Sequence, residues 1–243
     1  MSGSNYLNWD RMADLDAAGF RGTKPYPWIN PSGLITEEGY HELLETLPDV
    51  STFDRYFGIK RSHGQSSHDR FALNYRPDLE IAEPWKRFTQ EILSPEYTEF
   101  LRGLFDQEFV DLSLHWHYTP GGCSVSPHCD ANHKLGSHIF YLNTAEDWQN
   151  DWGGETLILD DGGSFSRRSA PDFDDFESVT TSEAAGNRSL LFQRRGNSWH
   201  GVRPVRCPEG HYRKVFIVAI NSRKRGLARH ALDWVRGKPT NGY

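Results

Sequence analysis

Near the middle of the chain, Tyr118 to Asp130 reads Tyr-Thr-Pro-Gly-Gly-Cys-Ser-Val-Ser-Pro-His-Cys-Asp and ends in the triplet His128-Cys129-Asp130. A neutral imidazole and a carboxylate two residues apart suit a borderline divalent metal such as Fe(II). On extended backbone, positions i and i+2 project to the same side, so both side chains can reach one ion. Gly121, Gly122, Pro120 and Pro127 make the approach turn-rich, which would aim the pair into a cavity mouth. Cys129 alternates away from the pair and would face packing. A His-x-Asp pair alone is a weak signal; it gains weight from residues further along the chain. His200 comes after a β-prone apolar run, Ser189 to Gln193, and a turn, and could close the set as a second imidazole. Two imidazoles and one carboxylate on one face of iron leave positions open for substrate and oxygen. The next strand carries Arg213, whose planar fork can clamp a carboxylate through two parallel hydrogen bonds.

The elements that must position these residues are legible from periodicity. From Asp111 the pattern has period two: Leu112, Leu114, Trp116 and Tyr118 alternate with Ser113, His115 and Thr119, which predicts a strand. That strand holds a competing pair, His115 and His117. Cupin-type metal sites use such a pair with a later Glu and His, but here no carboxylate follows at a suitable short spacing. Ahead of it lie helical stripes. Residues 5–18 predict a short helix. Thr36, with Glu37 and Glu38 behind it, predicts an N-cap, followed by Tyr40, Leu43, Leu44 and Leu47 at helical spacing. Pro84 and the Ser94-Pro95-Glu96 triplet open two further helices. Between them, Phe57 to Tyr75 reads as a polar loop, either solvated or substrate-facing. In the second case Arg61 and Arg70 would hold an acidic group of the substrate. Residues 160–187 form a long polar connection, either a solvated face or a lid. Residues Leu227 to Val235 suggest one last helix.

The order His-x-Asp, distant His, then Arg on the following strand resembles the 2-oxoglutarate/Fe(II)-dependent dioxygenases, most closely the prolyl-hydroxylase-like branch. Tyr118, ten positions before His128, resembles a cosubstrate-contacting Tyr of that branch. Ile139 to Asn143 resembles its next core strand, with Tyr141 at a cosubstrate position, and Trp152 to Leu157 resembles its Gly-Gly-Glu turn into a strand. The resemblance spans roughly Leu112 to Ser222. It implies a mainly β fold with flanking helices, a double-stranded β-helix (jelly-roll, cupin-like) barrel. It also implies Fe(II) on His128, Asp130 and His200, and 2-oxoglutarate on Arg213 with Tyr141 and Tyr118. Oxygen would be the co-reactant and ascorbate a candidate reductant. The expected activity is hydroxylation of an unactivated C–H bond of a small polar metabolite or biosynthetic intermediate, with succinate and carbon dioxide as coproducts. A peptidyl or carrier-bound substrate is one alternative. A regulatory protein that binds iron and 2-oxoglutarate without turnover is another.

Composition bounds this reading. With 243 residues the chain fits one domain, divided as 1–108 (N-terminal helices and substrate loops), 109–225 (catalytic core) and 226–243 (tail). At 37% hydrophobic, no run approaches the ~20 apolar residues of a membrane helix. A net charge of -6 argues against nucleic-acid binding, which needs a basic footprint. The N-terminal residues lack the basic flank and apolar segment of a signal peptide, and three Cys give no disulfide framework, so the expected location is cytoplasmic.

Overall fold

The computed structural model describes residues 6–108 and 110–222; the suggested helix over Leu227 to Val235 lies outside them. In chain order the elements are α1 (Trp9–Ala13), α2 (Ala17–Gly22), β1 (Trp28–Ile29), α3 (Glu37–Glu45), β2 (Asp54–Tyr56), β3 (Arg70–Asn74), α4 (Glu83–Ile92), α5 (Pro95–Phe105), β4 (Asp111–Pro120), β5 (Val125–His128), β6 (Lys134–Tyr141), β7 (Leu157–Asp160), β8 (Ser178–Thr181), β9 (Ser189–Gln193), β10 (Trp199–Val202) and β11 (Tyr212–Asn221). Side-chain caps set the helix starts: Thr36 accepts from the Gly39 amide, and Ser94 from the Tyr97 amide with Pro95 in the first turn. The single helix expected over residues 5–18 is instead cut in two. Asp16 turns its carboxylate onto the amides of Ala18 and Gly19, which starts α2 and prevents α1 from continuing.

The strands form two antiparallel sheets, of order β1-β9-β6-β11-β4-β3-β2 and β5-β10-β7-β8, the jelly-roll arrangement of a double-stranded β-helix. Two segments that read as loops contribute strands. The end of the Phe57 to Tyr75 stretch is β3, where Phe71, Ala72 and Leu73 pair with Tyr118, His117 and Trp116. Within 160–187, β8 pairs with β7 over Leu157 to Asp160. The same connection is pinned by Phe165 and Phe176, whose rings pack edge-on against Trp199.

β11 is the hub of the larger sheet. It pairs along its whole length with β4, and along most of it with β6. Cross-strand partners share a face, so this register sorts the sheet into two sides. On the outer side Phe216, Trp116 and Phe140 meet Trp85 and Phe88 of α4, with ring centroids 5.1 to 5.5 Å apart. Tyr97, Leu101 and Phe105 of α5 complete this core. Contact is tight where β6 passes α5. A methyl group at Gly136 would lie 2.2 Å from the Phe192 carbonyl oxygen and 2.5 Å from the Phe105 ring, so only glycine fits. On the inner side, the same register aligns Arg213, Val215 and Ile217 with Thr119, His117 and His115 of β4, and with Tyr141 and Ile139 of β6.

One histidine lies on the outer face. His138 is fully buried, its Nδ1 2.7 Å from the Tyr97 hydroxyl, and burial pushes its pKa down to about 3. An unfolded His takes up a proton below ~6.5 whereas this one resists until about 3, so stability falls as pH drops between those values. His138 should therefore cost the fold about 2 kcal/mol between pH 8 and pH 5. Urea unfolding at both pH values checks this: His138→Gln should flatten the pH dependence by that amount, and an unchanged slope would contradict the assignment.

Candidate active site

β5 and β10 are adjacent antiparallel strands of the smaller sheet, and His128 lies directly opposite His200 in their register. Their imidazole centroids are 4.3 Å apart. Asp130 follows two residues later, just past the end of β5, and one ligand-competent atom of each of the three residues lies within 4.8 Å of the others. Pro127 is tolerated beside His128 because β5 is an edge strand. Both imidazoles are oriented by the same local device. Nδ1 of His128 donates to the Ser126 carbonyl at 2.9 Å, and Nδ1 of His200 to the Ser198 carbonyl at 3.0 Å. A carbonyl only accepts, so the proton is on Nδ1, and Nε2 carries the lone pair a metal needs.

The electrostatics give the right protonation states. Burial drives the pKa of His128 and of His200 down, so both stay neutral. Burial alone would push the Asp130 carboxyl up. Lys134, by its charge and its hydrogen bond, overrides it and holds the carboxyl well below the usual range. Lys134 Nζ sits 3.1 Å from Asp130 Oδ1, and both side chains are nearly buried. The turn carrying Asp130 is clamped by Arg194, which donates to the Asp130 carbonyl at 3.0 Å and to Asn132 Oδ1 at 2.7 Å. Two neutral imidazoles and one ionised carboxylate are a fitting donor set for Fe(II). Lys134 and Arg194 were not legible as site residues, since nothing in their spacing ties them to Asp130.

Deeper on the inner face, Arg213 is buried and has no carboxylate at ion-pair distance among the described residues. Its Nε donates to the Gly154 carbonyl, and one terminal nitrogen donates to Thr156 Oγ1 at 3.1 Å. The guanidinium carbon stands 5.6 Å from the centre of the Tyr141 ring. The Tyr141 hydroxyl lies 3.0 Å from Thr156 Oγ1 and 2.9 Å from Ser182 Oγ, and all three residues are buried. Gly154 has φ +97, and a Cβ there would press on the Arg213 stem at 3.2 Å, which is what the Gly-Gly-Glu turn is for. An isolated buried cation among hydroxyls fits a carboxylate-bearing ligand. Thr156 and Ser182 escaped the sequence reading because only strand pairing brings them to Arg213. Tyr118 is not brought to this pocket. Its register partner is Lys214, on the opposite face from Arg213; its hydroxyl donates to the Pro48 carbonyl at 3.1 Å, and its ring packs 4.4 Å from Phe53. A spacing of ten residues does not fix which face of a strand a side chain occupies.

The mouth of the barrel holds Arg61, Arg70 and His68. Arg70 is two residues from Ala72, the register partner of His117, so it shares the inner face with His117. Its Nε lies 3.4 Å from His117 Nε2, and its Nη1 donates to the His68 carbonyl at 2.7 Å. His68 packs 4.7 Å from the His128 ring and reaches Ser126 Oγ at 3.0 Å. His115 and His117 lie on the inner face, ring centroids 4.5 Å apart, but the metal-competent group found among the described residues is His128, Asp130 and His200.

The barrel and its His-Asp-His group define a non-haem iron oxygenase architecture. Residues 114–220 match the family model of the 2OG-Fe(II) oxygenase superfamily, which marks this core as that of a 2-oxoglutarate-dependent non-haem iron oxygenase. No curated protein matches the sequence. Among solved structures, a Pseudomonas putida prolyl-4-hydroxylase superposes with TM-score 0.59 at 17% identity, covering 85% of this chain and 98% of its own. A Trichoplax adhaerens prolyl hydroxylase, solved with a hypoxia inducible factor peptide fragment, gives 0.65 at 14% identity, covering 91% and 96%. The alpha-ketoglutarate dependent epimerase SnoN from nogalamycin biosynthesis gives 0.55 at 13% identity, covering 85% and 79%.

Anaerobic Fe(II) titration separates the two candidate ligand sets. Asp130→Ala should weaken binding by more than the ~10–100-fold that losing an outer partner costs, and Lys134→Met by an amount within that range. His115→Ala should leave binding intact. Loss of metal in His115→Ala with retention in Asp130→Ala would reassign the site.

Proposed function

We propose that the protein hydroxylates an unactivated C–H bond of a small polar metabolite or biosynthetic intermediate. Fe(II) is held by His128, Asp130 and His200, and 2-oxoglutarate is anchored by Arg213 and Tyr141. With oxygen, such a centre decarboxylates 2-oxoglutarate to succinate and carbon dioxide and oxidises a substrate C–H bond. The observation that carries this reading is the pairing of two sites in one barrel: a pre-deprotonated His-Asp-His group and a buried guanidinium with no carboxylate at ion-pair distance among the described residues.

The chain's own residues have distinct tasks. The carbonyls of Ser126 and Ser198 fix the His tautomers, and Lys134 occupies one Asp130 oxygen, which would leave the other to ligate the metal. Arg213 offsets the cost of burying the cosubstrate's far carboxylate. The Tyr141 hydroxyl donates to Thr156 Oγ1 and lies within hydrogen-bond distance of Ser182 Oγ, which fixes these polar groups in place beside Arg213. A small substrate is favoured over a peptide because the mouth is narrowed from both sides. Gln65 of the Arg61 loop reaches the Ser169 carbonyl of the 160–187 connection at 3.4 Å.

Succinate release tests the reading. Protein reconstituted anaerobically with Fe(II), 2-oxoglutarate and ascorbate, then given air and a metabolite pool, should form succinate in proportion to the pool. His200→Ala should abolish it. Arg213→Ala should raise the 2-oxoglutarate requirement more than ~100-fold, as expected when a buried charge loses its partner. Stimulation by a peptide library but by no metabolite pool would move the substrate to the peptidyl class. Tight binding of both iron and 2-oxoglutarate with no succinate from either source would favour a regulatory role.

A further inference from the structure

We propose that the mouth of the barrel is an anion cradle, in which Arg61 and Arg70, backed by His117, hold a carboxylate or phosphate group of the substrate. This deepens the proposed oxygenase function and rests on it for the identity of the neighbouring centre.

Three observations converge. First, Arg61 is half-buried, and its Nε is shielded from solvent with no hydrogen-bond partner. It makes no hydrogen bond or ion pair to any described residue. A desolvated guanidinium donor without an acceptor is costly unless a ligand supplies one. Second, Arg70 is held on the inner face by bonds that fix its orientation: Nη1 to the His68 carbonyl, Nε to His117, and the guanidinium 5.1 Å from the centre of the Tyr56 ring. Burial lowers the basicity of both guanidiniums, the charge of Arg70 lowers that of Arg61 further, and the opposing field on Arg61 comes from Asp130, a residue of the triad. Geometry links Arg70 to the metal-competent group through His68, whose carbonyl accepts from Arg70 and whose ring packs 4.7 Å from that of His128. Third, the loop between them is tied to that centre. Gly58 donates to Asp69 Oδ1 at 2.8 Å and closes the base of the loop, while His68 and the Ser66 carbonyl both engage Ser126 Oγ.

The charge balance at the mouth favours an anion. Arg61, Arg70 and Lys134 stand on this side against two carboxylates, Asp130, which is paired with Lys134, and Asp69, which is taken up at the base of the loop by the Gly58 amide. Arg213 is assigned to the cosubstrate. An incoming carboxylate or phosphate would satisfy Arg61 and relieve the repulsion between the two guanidiniums. It would also fix one end of the substrate by charge-assisted bonds, presenting a carbon further along to the metal. Ile59 on the same loop, 53% exposed and lining the same cavity as Arg61, offers apolar contact to the rest of the molecule.

The test uses the Fe(II)- and 2-oxoglutarate-loaded protein kept anaerobic, with methyl phosphate and propionate as probes and thermal shift as the readout. At least one probe should raise the melting temperature. Arg61→Gln should weaken that response by about tenfold or more, the loss expected of one charge-assisted hydrogen bond, and Arg61→Lys should restore part of it. A stronger response to propionate assigns a carboxylate-bearing substrate, and a stronger response to methyl phosphate a phosphate ester. No response to either probe, or a response equal in wild type and Arg61→Gln, would overturn the cradle. The charge-transfer absorption that appears when 2-oxoglutarate binds ferrous protein is read separately. Its absence in the wild type would sink the oxygenase reading itself, so the two failures are distinct.

Discussion

The register of β11 against β4 and β6 is the constraint on which the rest depends. Because side chains alternate, a slip of one residue would send Arg213 into the helical layer and bring Phe216 into the lumen. The aromatic cluster on the outer face makes that slip prohibitive, since Trp116, Phe140 and Phe216 are fully buried against Trp85 and Phe88. The apolar packing between helices and sheet, far from any polar chemistry, therefore fixes which residues face the cavity. The smaller sheet applies the same rule on a shorter scale. One ladder position sets His128 opposite His200, and the register shift between His200 and Val202 falls just beyond it.

Burying this many ionisable groups in one barrel is expensive, and the structure manages the expense by assigning each a state. The imidazoles of His115, His117, His128 and His200 are all held neutral by desolvation, which removes positive charge from a region already containing Arg70, Lys134 and Arg213. Asp130 is the exception. It remains ionised because the Lys134 ammonium beside it outweighs its own desolvation. The interior is consequently rich in cations and neutral donors, an environment in which oxo-acid and carboxylate ligands gain more from binding than they would lose in water.

Much of this was legible in the sequence. The metal-competent residues, Arg213 and Tyr141 announced themselves through residue type, strand periodicity and order along the chain, and α3, α4 and α5 through their caps and stripes. What was not legible depended on pairing between distant segments. Thr156 and Ser182 look like ordinary strand residues until β7 and β8 align beside Arg213. Lys134 and Arg194 converge on Asp130 only through the turn after β5 and the end of β9. Tyr118 was misplaced for the complementary reason: its type and distance suited a ligand contact, but parity put it with Phe53 and the Pro48 carbonyl. The Phe57 to Tyr75 stretch hid β3 because its one uninterrupted apolar run, Phe71 to Leu73, is too short a signal to mark a strand.

Ser126 serves two masters. Its carbonyl oxygen sets the tautomer of His128, while its hydroxyl is engaged by His68 and by the Ser66 carbonyl of the mouth loop. The loop therefore cannot be exchanged as an independent module. A graft that reshapes the entrance for a different molecule would also shift the backbone that aims a metal-competent imidazole, so the entrance and the His-Asp-His geometry would change together. Recombination of this segment with a relative's would have to carry β5 along with it.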